Sequence, residues 1–233
     1  MTVFILKIIA CISMFLDHVK YAIPSTRCFA TIYLGRLAFP IFAFLISEGF
    51  FYTHDRLKYM YRILIFAIIS QIPFYFFANN LVHGHVNFNV LFTFEFALIG
   101  LSILEYFKKA EMNKILKFLI VTIVMVSILN LSYILHTDYG WYGVMLVWMF
   151  YIFREKKLLY TLSFVVLNIL YYLYLGVEFK TFKEFLPITF SLSSLIFILL
   201  YNGKEGKKLK YFFYVFYPLH FIILYGINYF FIK

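Results

Sequence analysis

The sequence predicts an all-α protein, a polytopic transmembrane bundle of about nine spans that occupies the whole chain, residues 1–233, as one domain. Two observations carry that prediction. Hydrophobic residues make up 64% of the chain at a mean hydropathy of +0.88, a level that soluble domains do not approach because they need a charged exterior. The apolar residues also fall into runs near the ~20 residues that cross about 30 Å of hydrocarbon. Nine such runs are legible, at about 2–22, 32–52, 59–78, 88–107, 114–135, 138–153, 158–176, 185–201 and 210–232, the sixth and eighth being short.

The stretches between the runs set the expected orientation. Lysine and arginine outnumber acids 21 to 11, an excess that by itself would suggest nucleic acid as a partner. Its distribution argues against nucleic acid and for a lipid bilayer. The basic residues sit in short loops after the second, fourth, sixth and eighth runs (Arg56 and Lys58; Lys108, Lys109, Lys114 and Lys117; Arg154, Lys156 and Lys157; Lys204, Lys207, Lys208 and Lys210), while the loops after the third and fifth runs have none. The positive-inside rule then predicts a multi-pass protein of the cytoplasmic membrane, with its N-terminus cytoplasmic and its C-terminus outside.

The first run, Thr2 to Ile23, carries Lys7 and the pair Asp17-His18. Such groups inside a span cost several kcal/mol on insertion scales and are therefore read as functional. Eleven residues on a helix make three turns plus about 20°, so Lys7 and His18 share one face about 16 Å apart, with Cys11 and Met14 on the stripe between. Asp17 lies about 100° round the helix from His18, which makes Arg36 its expected partner, or His18 through a water. In the second run Pro40 removes the backbone bond to the Arg36 carbonyl, so a break is expected there. The same run carries Glu48, for which a loop lysine is the expected partner.

In this orientation Asp17, His18, Arg36, Gln71, Asn89 and Asp138 gather toward the outer side. Lipid would reject such a set, so these groups are expected to face one another or a water-filled cavity. Asp138 opens the sixth run as an expected helix N-cap, followed by Trp141 and tyrosines of the interfacial aromatic belt. In the last run Tyr217 and His220 flank Pro218 near mid-membrane, where a histidine serves either a site or a hydrogen bond between helices.

Other features narrow the function classes. His83 and His85 with His136 lack a convincing ligand spacing, so no metal is expected. The loop Asn202 to Lys208 is glycine-spaced and basic but lacks Walker spacing, which argues against nucleotide hydrolysis. Its lysines are either a topology signal or point charges for phosphates. Cys11 and Cys28 are poorly placed for a disulfide. The first run has no small-residue cleavage site and is read as a retained span.

Gly35-Arg36-Leu37-Ala38-Phe39-Pro40, Ser47-Glu48-Gly49-Phe50, Asp138-Tyr139-Gly140, Tyr201-Asn202-Gly203 and Tyr217-Pro218-Leu219-His220 together resemble the TraX family over nearly the whole chain. Founding members of that family are associated with N-terminal acetylation of pilin in conjugation. More distantly, the chain is similar to integral-membrane acyltransferases that acetylate cell-surface sugars. That wider group carries a basic residue, ten residues and a histidine in its first span, matched here by Lys7 and His18. It usually has ten spans, and its pair of arginines three apart is absent from the third run, which offers Arg56, Lys58 and Arg62.

The resemblance implies acetyl-CoA as donor and an acceptor that is a pilin-like protein, another peptide or a glycan. His18, with Asp17 and Arg36, would be catalytic, either as a general base or as an acyl-histidine relay. Lys7, Lys204, Lys207 and Lys208 would hold the donor's phosphates. Glu48, Gln71, Asn89, Asp138, Tyr217 and His220 would line the substrate pocket. Two other classes remain open: a small transporter or flippase whose buried charges line a path, and a non-catalytic membrane subunit of a conjugation apparatus.

Overall fold

The computed structural model describes residues 1–82, 87–178 and 180–232. They form ten α-helices: α1 (Val3–Ala22), α2 (Phe29–Tyr33), α3 (Ala38–Tyr52), α4 (Arg56–Phe77), α5 (Val90–Lys109), α6 (Lys114–Ile134), α7 (Gly140–Ile152), α8 (Lys157–Tyr174), α9 (Phe182–Leu199) and α10 (Lys210–Phe231). No β-strand occurs among the described residues, only an isolated bridge between Phe88 and Thr137. Nine of these helices fall on the nine apolar runs. Among the described residues six stretches are long and apolar enough to cross a membrane: Phe29–Tyr52, Arg56–Val82, Val90–Lys109, Lys114–Ile134, Lys157–Tyr174 and Tyr211–Phe231. Helix α1 has the length but carries Lys7, Asp17 and Lys20, while Gly140–Ile152 and Glu184–Leu199 are shorter apolar segments.

The second run is broken where proline requires it. Leu34–Leu37 is a 3-10 segment, and α3 begins at Ala38 with Pro40 in its first turn, where no backbone donor is missed. Proline sits inside three other helices, as Pro73 in α4, Pro187 in α9 and Pro218 in α10. Helix α4 runs on into a π-helical turn, Ala78–Val82.

The long helices alternate up and down, which brings their basic loops to one end of the bundle. There Arg154, just after α7, reaches Glu48 near the end of α3, and Arg56 at the start of α4 lies 3.8 Å from Glu105 near the end of α5. At the opposite end Asn228 of α10 donates to the Ala22 carbonyl of α1 at 2.8 Å. Of the six apolar spans Phe29–Tyr52 is the most enclosed and Lys114–Ile134 the least, so the former is central and the latter peripheral.

The core lies between α3, α5 and α7, where Ile41, Phe50, Leu98, Leu101, Leu146 and Phe150 are fully enclosed. Between helices in lipid, close packing and hydrogen bonds do most of the work. Trp148 of α7 packs against Gly100 of α5, where a Cβ would lie 2.4 Å from its Cζ2, and donates Nε1–H to the Ala97 carbonyl at 2.9 Å. Helix α1 packs on the 3-10 segment, α3 and α10.

Candidate functional site

A cavity of about 780 Å³ extends along the bundle between α1, α3, α4 and α10. Lys7, Arg62, Lys207 and Lys208 border it at the basic end, and Asp17, His18, Arg36 and Asp138 border it toward the opposite end. Between them its wall is mainly apolar, with Met14, Phe42, Ile46, Ile63 and Phe94. The helical spacing of Lys7 and His18 thus delivers both to one cavity. Cys11 instead borders a small apolar groove between α1 and α10.

The basic end is shaped by the loop before α10. The first turn of α1 has backbone donors with no partner in its own helix, and the loop supplies acceptors: Val3 N–H donates to the Lys204 carbonyl at 2.9 Å and Phe4 N–H to the Glu205 carbonyl at 3.0 Å. Gly206 makes this contact possible. Its φ is +76°, and a Cβ there would lie 2.7 Å from Thr2 Oγ1. The loop then carries Lys207 and Lys208 to the cavity, whereas Lys204 does not border it. Lys7 Nζ lies 5.0 Å from the centre of the Phe213 ring, and Arg62 Nε is buried without a hydrogen-bond partner among the described residues.

Glu48 borders the cavity at this end and is 3% exposed. Its partner is an arginine, where a loop lysine was the expectation. Arg154 donates Nε–H to Oε1 at 2.7 Å and also reaches Oε2 at 3.4 Å, a forked geometry that a lysine does not offer. The guanidinium also donates to Tyr52 Oη at 2.8 Å and covers the Phe51 ring at 3.8 Å.

Toward the other end, His18 Nδ1 lies 2.9 Å from Nε2 of His220, and the two rings meet edge to edge, with centres 5.0 Å apart and planes inclined by 26°. His18 borders the cavity; His220, 2% exposed, is not among the residues that do. Tyr217, one turn before His220, does border it. Gly35 lets the 3-10 segment close on α1, since a Cβ at 35 would lie 2.6 Å from Asp17 Cβ. That approach brings Arg36 into the cavity wall, with its Nε buried and unpartnered among the described residues.

Three expectations are corrected here. Among the described residues no contact-distance salt bridge joins Asp17 to Arg36, whose charge acts on it from farther away; Lys20, one turn on along α1, takes Oδ1 at 2.6 Å. Asp138 does not cap α7, because the cap position belongs to Tyr139, which holds φ +62° and stacks on Phe39 at 3.6 Å. This turn leaves Asp138 on the cavity wall, where its main-chain oxygen accepts from Thr93 Oγ1 at 2.5 Å. Gln71 and Asn89 do not border the cavity. Their amides serve each other and the backbone: Asn89 Nδ2 donates to Gln71 Oε1 and to the Ala67 carbonyl, both at 2.8 Å, and Asn89 Oδ1 caps α5 at Leu91 N–H. An asparagine just before an apolar run is a readable N-cap signal.

Residues 3–228 match the family model described as TraX protein. The chain belongs to the TraX family. It is 29% identical over 244 aligned residues to the probable fimbrial assembly protein FimC, serogroup H1, of Dichelobacter nodosus, covering 95% of this chain and 93% of that protein. No solved structure matches.

In this TraX chain, sequence reasoning overlooked Lys20 and Glu95, and it named Arg62 and Arg154 only as basic residues without placing either at the cavity or beside Glu48. Glu95 of α5 is 7% exposed, with Oε2 unpartnered among the described residues. The position of Arg62 inside an apolar run was a usable signal. His83 and His85 lie outside the described residues; among the described residues no cluster of His, Cys, Asp and Glu is suited to a metal.

Proposed function

We propose that this TraX protein is a membrane-embedded acyltransferase that moves an acetyl group from cytoplasmic acetyl-CoA to an amine or hydroxyl of an acceptor at the outer face. The observation that carries the reading is the single cavity joining a cationic end, with Lys7, Arg62, Lys207 and Lys208, to His18. Helix rise over eleven residues spans about 16 Å, close to the ~15–20 Å of an extended pantetheine arm. Cations at the basic end neutralise the donor's phosphates, the apolar wall takes the arm, and the thioester comes to rest beside His18.

His18 then acts as general base. The acceptor's nitrogen or oxygen attacks the thioester carbonyl carbon while its proton passes to His18. The tetrahedral adduct collapses by breaking the carbon–sulfur bond, and the departing thiolate of CoA takes the proton back. Arg36, whose Nε has no partner among the described residues, stabilises the oxyanion of the adduct. The fimbrial role in the name of the relative from Dichelobacter nodosus supports a pilus subunit as acceptor, and a peptide or glycan would use the same chemistry.

In this reading all nine helices that fall on the apolar runs cross the cytoplasmic membrane, with the basic end inside. A reporter that is active only outside the cell, fused after Lys157, is expected to be silent; activity there overturns the orientation. Transfer of label from acetyl-CoA in proteoliposomes tests the reaction itself. Lys7→Ala is expected to raise the KM for acetyl-CoA ~10-fold with kcat little changed, since a phosphate contact is held equally in ground and transition states. An unchanged KM removes Lys7 from the donor site.

A further inference from the structure

His220 sits behind His18, away from the cavity, and its hydrogen bonds are specific about where protons lie. Nδ1 of His220 is 3.1 Å from the Phe216 carbonyl, which can only accept, so Nδ1 carries a hydrogen. A neutral imidazole carries one N–H, which makes His220 Nε2 an acceptor. A second proton would place a net charge on a ring 2% exposed and packed between Phe216 and Phe221, with no carboxylate hydrogen-bonded to it among the described residues. Facing Nε2 at 2.9 Å is His18 Nδ1, which must therefore be the donor. Its hydrogen thus sits on Nδ1, and His18 Nε2 is left with a free lone pair.

We propose that His220 is a positioning residue that locks His18 in the Nδ1–H tautomer and so keeps Nε2 ready to accept a proton. This rests on the reading of His18 as the general base. The arrangement resembles a serine-hydrolase triad in logic, with the orienting carboxylate replaced by a second imidazole anchored to a main-chain carbonyl. When Nε2 receives the acceptor's proton, the Nδ1–H bond to His220 remains in place, and the ring does not turn. Without His220 no hydrogen-bond acceptor among the described residues holds the hydrogen on Nδ1, and a hydrogen on Nε2 would block the base.

The test is nitrogen-15 NMR of histidine-labelled protein in lipid vesicles, read alongside transfer from acetyl-CoA. In the wild type the His18 signals, identified by their loss in His18→Ala, are expected to show Nδ1 protonated and Nε2 bare. In His220→Gln, whose side-chain oxygen accepts from the same N–H, the tautomer is expected to persist and transfer to stay within ~10-fold. In His220→Ala the tautomer is expected to be lost and kcat to fall ~10²–10⁴-fold with the KM for acetyl-CoA little changed. A protonated Nε2 in the wild type, or an unaltered tautomer in folded His220→Ala, overturns the proposal. The expected tautomers in a wild type that transfers no acetyl group would uphold the positioning role and sink the transferase reading instead.

Discussion

His18→Ala is expected to lower acetyl transfer in proteoliposomes by at least ~10³-fold while the protein remains folded. General base catalysis contributes ~10²–10⁴-fold, and the loss also removes the cavity-bordering imidazole that is hydrogen-bonded to Nε2 of His220. Stability is expected to fall by ~1–3 kcal/mol, because Nε2 of His220 is left buried without a partner. The drop in rate therefore has to be read at a temperature well below the melting point of the variant. Transfer at the wild-type rate in folded His18→Ala would end the general-base assignment. If the wild type transfers nothing yet moves a solute across vesicles with protons, the transporter reading takes its place.

Arg154→Ala is expected to be the most damaging single change to stability, at ~3–5 kcal/mol, the range for stranding one member of a buried ion pair. The two partners are not equivalent. The Glu48 side chain is 4% exposed and the Arg154 side chain 19%, so arginine left alone can swing toward water, whereas glutamate left alone cannot. Glu48→Gln is thus expected to cost less than Arg154→Ala, and the double variant Glu48→Gln/Arg154→Ala to recover most of the loss. Thermal unfolding in detergent micelles reads all three. Equal and additive losses would show that the pair is not the unit that holds α3 to the loop after α7.

The helices were readable because the length of an apolar run states itself locally: the run read as 114–135 is the helix Lys114–Ile134, and that read as 32–52 lies within the span Phe29–Tyr52. The common face of Lys7 and His18 was readable for the same reason, since it follows from helical periodicity within one element. What escaped were partners. Arg154 is 106 positions from Glu48, and nothing in either neighbourhood announces the other. Lys20 was hidden for a different reason: it lies one turn from Asp17, but a distant arginine was the more conspicuous cation. Gln71 and Asn89 were read as unfit for lipid and so assigned to a pocket, yet two amides and a backbone can satisfy one another without any cavity.

The meeting of His18 and His220 across 202 positions has a consequence for biosynthesis. At ~5–20 residues per second, roughly 10–40 s separate translation of the two histidines. During that interval α1, which carries Lys7, Asp17 and Lys20, has neither α10 beside it nor the Lys204 and Glu205 carbonyls on its first turn. Helix α1, with three charges, is made well before α10, the helix that completes it. Until α10 is made, a nascent chain therefore lacks both the His18–His220 hydrogen bond and the loop that closes the first turn of α1.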